Sequence, residues 1–333
     1  MKPTHRTTLI TGANSGLGLE AARQLLARRN ERVIITARSQ AKADRAIAEL
    51  LRRTRAEPDR IDSVLADYMV PETVSRALSD LKQKGVTLDA IVLNAGGVAK
   101  QEGGTYPRTP SGLTSMFAMN VSGHAQLVHG LLDAGRVADG ATIVFAASEV
   151  TRGIPAMNAA AAKLPEGPGS LEERIAAAAR GDHLTGKADP FDEYGLAKLI
   201  GTAWMQHLAK THGNRIRAFA ISPGASAGTS GANNMPFLMG LMMKYVMFPT
   251  FRLMGRAHGV EAGAARYVKG LDDQSLVNGG YYASPFPHMS GTLVLQDPAH
   301  QPLLSNDAFV AAVGNYLESL VARLQSSEAR VAS

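Results

Sequence analysis

This chain of 333 residues has no cysteine, a single tryptophan and only 5% aromatic residues. The missing thiol excludes disulfides, a thiolate nucleophile and cysteine-ligated zinc. Nine histidines are present but scattered, and no His-Glu-x-x-His run occurs, so no metal site is expected. Long hydrophobic runs are missing as well: none approaches the roughly 20 apolar residues of a membrane-spanning helix. A strand pattern begins directly after Met1-Lys2-Pro3-Thr4-His5, leaving no room for a signal peptide. The expectation is a cytoplasmic protein without a transmembrane segment, with peripheral membrane contact left open. An extended basic face is also lacking. The net charge is +6, yet the stretch from Arg23 to Arg60 alone holds eleven Lys/Arg against five Asp/Glu, an excess equal to that of the whole chain. The remainder is neutral, which disfavours nucleic acid as a partner and leaves a local basic patch to solvate a helix or receive a phosphate.

What is present is 45% hydrophobic content, enough for a sizeable core, and a telling run of glycines. Thr11-Gly12-Ala13-Asn14-Ser15-Gly16-Leu17-Gly18 follows the short β-branched run Thr7-Thr8-Leu9-Ile10 and opens into Leu19 to Leu26, where apolar residues recur at helical spacing. Glycines in a strand-to-helix turn let the backbone approach a ligand closely, and the free amides of the helix start favour an anion such as a pyrophosphate. Strand and helix patterns then alternate. Strands are expected at Arg32–Arg38, Ile61–Asp67, Leu88–Gly96 and Ala141–Ser148. Helices follow Ser39 and Pro71, and a long one spans Ser111 to Ala134. Such alternation indicates a parallel sheet covered on both faces, with ligands at its carboxyl edge.

After Ser148 the alternation breaks. Residues 149–193 form an insertion containing a Ser170-x-x-Glu173 capping box before a helix that ends at Gly181, and they read either as a lid or as a mobile surface loop. A helix near Phe191–His212 and a strand at Ile216–Gly224 restore the pattern. A substrate-side helical segment is expected around 226–258; it contains Met235 to Phe248, with five methionines in fourteen residues. It could serve as core filler, an adaptable substrate wall or a membrane-surface face. Tyr281–Ser284 is expected as the final strand and Asn306–Leu324 as a closing helix.

Tyr194 and Lys198 lie four apart on a predicted helix and share a face. An ammonium beside a phenol is expected to favour the phenolate, bringing Tyr194 within range of general acid/base work. The Gly12/Gly16/Gly18 turn, Asn94-Ala95-Gly96 after the fourth strand, Ser148 ending the fifth and Tyr194-Gly195-Leu196-Ala197-Lys198 together resemble the short-chain dehydrogenase/reductase family over roughly residues 5–285. The resemblance implies one Rossmann-type, doubly wound α/β domain spanning 1–333, with about seven parallel strands. It also implies hydride transfer by a nicotinamide, with Tyr194 as acid/base, Ser148 on the substrate oxygen, and Asn120 in a water-mediated proton relay through Lys198. Asp67 is expected to contact adenine, Gly12, Asn14, Ser15, Gly16, Leu17 and Gly18 to hold the pyrophosphate, Asn94, Ala95 and Gly96 to line the cofactor, and Pro223 and Gly224 to close over the nicotinamide.

Charge argues for NADP(H). NAD-binding relatives place an acid at the end of the second strand, where this chain has Ala37 followed by Arg38, a partner for a 2′-phosphate. Ser15 departs from the basic residue many NADP-binding relatives carry before the second glycine. The motif wording is most similar to the retinol dehydrogenase and protochlorophyllide reductase branch, with 45 residues between Ser148 and Tyr194 as a departure. The expected substrate is a bulky apolar carbonyl or alcohol. Alternatives are reduction of a conjugated C=C bond in a pigment-like molecule, or NADP(H) sensing without turnover. The oligomeric state, homo-oligomer or monomer, stays open.

Overall fold

The computed structural model describes residues 5–184, 189–227 and 258–332. Its main sheet has eight strands: β1 (Arg6–Ile10), β2 (Glu31–Ala37), β3 (Ile61–Leu65), β4 (Leu88–Leu93), β5 (Val137–Ala146), β6 (Ile216–Ile221), β9 (Tyr281–Ala283) and β10 (Val294–Leu295). A separate small pair joins β7 (Ser226–Ala227) to β8 (His258–Gly259). The order across the main sheet is β10-β9-β6-β5-β4-β1-β2-β3, and every pairing is parallel except β10 on β9. Successive strands are added to one side of β1 up to β3 and to its other side from β4 onward, and this switch in order opens a crevice at the carboxyl ends of β1 and β4.

The strands are apolar on both faces, and alternation sends neighbours into different cores. Ile91 and Leu93 enter one core with α3 (Pro71–Gln83), α5 (Gly123–Asp133), α7 (Pro190–Thr211) and α9 (Asp307–Ala332). Ala90 and Val92 enter another with α1 (Gly16–Leu26), α2 (Gln40–Thr54) and α8 (Val260–Asp272). Local signals set the ends: Pro71 starts α3, and Asp189 caps α7 by accepting from the Phe191 and Asp192 amides.

Several expectations change in detail. The long helix begins only at Ser115 as a short α4 (Ser115–Phe117), passes through a π-helical turn (Ala118–Ser122) and then becomes α5. The antiparallel β10, two residues long, was not expected and makes the sheet eight-stranded. Within 149–193, the capping box of Ser170 and Glu173 forms at α6 (Leu171–Arg180), which ends on left-handed Gly181. α6 packs against α9, and Asn315 donates to Glu172 across that contact at 3.0 Å. The Met235–Phe248 run lies outside the described residues. Among the described residues no helix is long and apolar enough to cross a membrane.

Candidate active site

The crevice is built first from the turn between β1 and α1. Gly12 and Gly16 adopt left-handed conformations, φ +63° and +58°. A Cβ at Gly12 would lie 2.9 Å from the Ala95 Cα, and one at Gly18 2.5 Å from Asn94 Nδ2, so the turn and the end of β4 come together only because side chains are missing. Ser15 does not cap α1 with its side chain. The first-turn amides therefore keep their capacity to meet an anion at the positive end of the helix dipole.

Buried hydrogen bonds fix this turn. Ala95 N–H donates to Thr11 Oγ1 at 2.8 Å, Thr11 Oγ1 lies 3.0 Å from His124 Nε2, and His124 Nδ1 lies 3.3 Å from the Asn120 carbonyl. A carbonyl only accepts, so Nδ1 carries the proton and Nε2 accepts from the threonine. His124 is neutral, as this chain requires: burial, with the Lys198 charge adding to it, pushes it down to about 3. On the other side Gly12 N–H donates to Thr36 Oγ1 at 3.0 Å, and Thr36 is 3.1 Å from the Tyr68 hydroxyl.

The second half of the site comes from β5, α7 and the π-helical turn. Ser148 stands two residues beyond the end of β5; its hydroxyl accepts from the Val150 amide at 3.4 Å and lies close enough to the Tyr194 phenol to favour its ionised form. Lys198, 2% exposed, places Nζ 5.3 Å from the centre of the Tyr194 ring. A Cβ at Gly201 would come 2.1 Å from the Phe145 ring, and one at Gly195 2.9 Å from Val150 Cγ1, so glycines let α7 lie close enough to β5 to bring Tyr194 to Ser148. Asn120 Oδ1 accepts from Gly97 N–H at 3.0 Å, while Nδ2 donates to the Gly97 and Met116 carbonyls, each at 2.9 Å.

One cleft of about 810 Å³ runs along these elements. Gly12, Asn14, Ser15, Gly16, Leu17, Arg38, Asp67, Asn94, Ala95, Gly96, Ser148, Tyr194, Lys198, Pro223 and Gly224 all border it. Gly18 and Asn120 do not. Gly18 is packed under Asn94 and Gly12, and Asn120 is wholly buried behind Gly96, where a Cβ would meet its Oδ1 at 2.5 Å and Lys198 Nζ at 3.4 Å. Arg38 is exposed at the end of β2 and makes no ion pair among the described residues. Asp67 accepts from the Met69 amide at 3.1 Å.

The electrostatics correct one expectation. Burial pushes the Tyr194 phenol up to about 12, against the lowering hydrogen bond of Ser148 and with the Glu149 carboxylate adding to the rise. The same dry surroundings push Lys198 down to about 7. Desolvation disfavours charge on both groups, and it outweighs the attraction that their spacing suggested. The spacing also gave no sign of Tyr267 and Glu149, which border the cleft. An acid set directly after the apolar run Val144-Phe145-Ala146-Ala147-Ser148 was the available signal for Glu149. At the far end of the cleft Val150, Ile154 and Met289 form a small apolar cluster joined by Met157, Phe191 and Ala225. Of the stretch 149–193, its first residues and Phe191 reach the cleft, whereas α6 docks on α9.

A doubly wound sheet with a glycine turn at its switch point and a Ser/Tyr/Lys set on the adjoining rim defines a Rossmann-type fold. The short chain dehydrogenase family model matches residues 6–163, and over that span this chain is similar to the short-chain dehydrogenase/reductase family. The WW domain-containing oxidoreductase of Drosophila melanogaster is 29% identical over 236 residues, 70% of this chain and 52% of that protein. Retinol dehydrogenase 14 of Mus musculus is 36% identical over 135 residues, 38% of this chain and 39% of that protein. The chain thus spans about half, or less, of the length of these relatives. In fold, 3-ketoacyl-(acyl-carrier-protein) reductase of Brucella melitensis, solved with NADH, superposes with a TM-score of 0.55 at 21% identity, covering 83% of this chain and 95% of that one.

Proposed function

We propose that this protein is an NADP(H)-dependent oxidoreductase that interconverts a carbonyl and an alcohol on a bulky apolar substrate. The observation that carries the reading is the meeting of Ser148, Tyr194 and Lys198 in the same cleft as the glycine turn, with Lys198 Nζ 5.3 Å from the Tyr194 ring centre. When bound, the nicotinamide supplies or takes up the hydride. Tyr194, held protonated at neutral pH, gives its proton to the substrate oxygen during reduction and removes it in the reverse direction. Ser148 donates a hydrogen bond where negative charge develops. Lys198, poised near neutrality, restores the proton, with Asn120 holding the Gly97 backbone beside it. The left-handed Gly12 and Gly16 and the uncapped start of α1 fit a pyrophosphate, Asp67 and the Asn94–Gly96 run fit the adenosine half, and Pro223–Gly224 bounds the nicotinamide end.

The choice of NADP(H) rests on Arg38, exposed and without an ion pair among the described residues at the strand end where a ribose-binding acid would otherwise stand. The test is Tyr194→Phe. Turnover is expected to fall by about 10²–10⁴-fold with NADPH affinity by calorimetry nearly unchanged, because only the transferable proton is deleted. Substantial residual activity would place the acid elsewhere.

A further inference from the structure

Beneath the reacting residues lies an ion pair to which the reading above gives no role. Glu149 is 5% exposed, and its carboxylate is the meeting point of three strand ends. Oε2 accepts from the Ser222 hydroxyl beyond β6 at 2.5 Å, and Oε1 accepts from the Ser284 amide and hydroxyl beyond β9 at 3.2 and 3.0 Å. Arg266 of α8, 6% exposed, holds Nη1 3.6 Å from Oε1 and donates to the Ser222 carbonyl at 3.1 Å and to Ser284 Oγ at 3.0 Å. The Ser222 hydroxyl also accepts from the Gly224 amide at 3.1 Å, so one hydroxyl links the carboxylate to the Pro223–Gly224 turn. That turn rests on the guanidinium: a Cβ at Gly224 would lie 2.8 Å from Arg266 Nη1. A pair this deep is a weak source of net stability, since desolvating both charges offsets most of their attraction; what it fixes is geometry.

Building on the oxidoreductase reading, we propose that Glu149 and Arg266 are the positioning pair of the site, locking the Ser148–Tyr194 end of the cleft to the Ser222–Gly224 turn so that substrate oxygen and nicotinamide are held in one register. The charge distribution agrees. Tyr194 is faced by Lys198 from its own helix, by Glu149 from the turn after β5, by Tyr267 from α8 beside Arg266, and by Tyr281 from β9. Among these described neighbours Glu149 carries the negative charge, and it opposes ionisation of the phenol.

Two variants separate charge from reach. Glu149→Gln keeps the shape and removes the charge, and Glu149→Asp keeps the charge and shortens the reach. Phenolate absorbance, taken as the difference between each protein and the same protein carrying Tyr194→Phe, reports Tyr194 without turnover, and calorimetry with NADPH reports the turn. Glu149→Gln is expected to move phenolate formation to lower pH by about half a unit and to weaken NADPH binding by about 3- to 10-fold. Glu149→Asp is expected to weaken NADPH with the phenolate onset in place. An unmoved onset, or an unchanged NADPH affinity, in a folded Glu149→Gln overturns the proposal. If that variant does not fold, Ser222→Ala, shown by circular dichroism to be folded before use, carries the test, and an unchanged NADPH affinity overturns the proposal. If the wild type binds no NADPH at all, the oxidoreductase reading fails instead, and the phenolate titration still decides the coupling of Glu149 to Tyr194.

Discussion

At the residue scale, the main cost in the site is Lys198. Its ammonium is lowered from an ordinary value of 10.5 to about 7 by burial. Between these pH values the unfolded chain holds a proton that the folded one lacks, so stability contributed by this group rises as pH rises; below 7 both states are protonated and the full penalty applies. Lys198→Met should therefore raise Tm at pH 7 and raise it progressively less as pH approaches 10.5, while abolishing turnover. A thermal-melt series in which the gain is independent of pH would show that the ammonium is not desolvated. Arg38 belongs to the same scale. NADPH should bind about tenfold more tightly than NADH, and Arg38→Ala should erase most of that difference, because one charge-assisted contact to a phosphate is lost. Equal wild-type affinities by calorimetry would remove the argument. Single residues were also where the sequence was most legible: the glycine turn, Ser148, Tyr194 and Lys198 could each be named because each chemistry needs its residue type at a strand end or helix face. The partnerships of Thr11 with His124 and of Glu149 with Arg266 join positions over a hundred residues apart, and no local pattern encodes them.

Elements decide how those residues meet. α7 reaches β5 through Gly201 and the turn beyond β5 through Gly195, so Gly201→Ala drives a methyl into the Phe145 ring. The expected cost is about 1–3 kcal/mol by denaturant unfolding, with a drop in kcat larger than the change in NADPH affinity, because the helix carrying Tyr194 and Lys198 is pushed from Ser148. An unchanged stability would mean that Phe145 yields freely. Helices and long strands were legible from period and capping residues, as at Ser170 and Glu173. The π-helical turn around Asn120 and the two-residue β10 were not, since neither has a period of its own: the first is one turn within a continuous apolar helix, and the second depends on pairing with β9.

For the whole molecule, the cleft passes from a polar, glycine-rich end to the apolar cluster of Val150, Ile154 and Met289. Each additional 60 Å² or so of apolar substrate surface buried there is worth about 1.5 kcal/mol, roughly tenfold in kcat/KM. A graded series of carbonyls should show that rise with size, and Met157→Gln should flatten it. A flat series in the wild type would remove the bulky-substrate reading. The arrangement of the sheet also sets an order of assembly. β1 pairs with β2 about 25 residues away, but its other neighbour is β4, where Thr8 meets Ala90. A growing chain that has not yet delivered β4 carries β1 with one edge bare, and the glycine turn has neither Asn94 nor Ala95 to close against. Ligand-binding competence during synthesis must therefore wait for strands from distant parts of the chain, and until then the open strand edge is the place where a chaperone or an unwanted neighbour can pair.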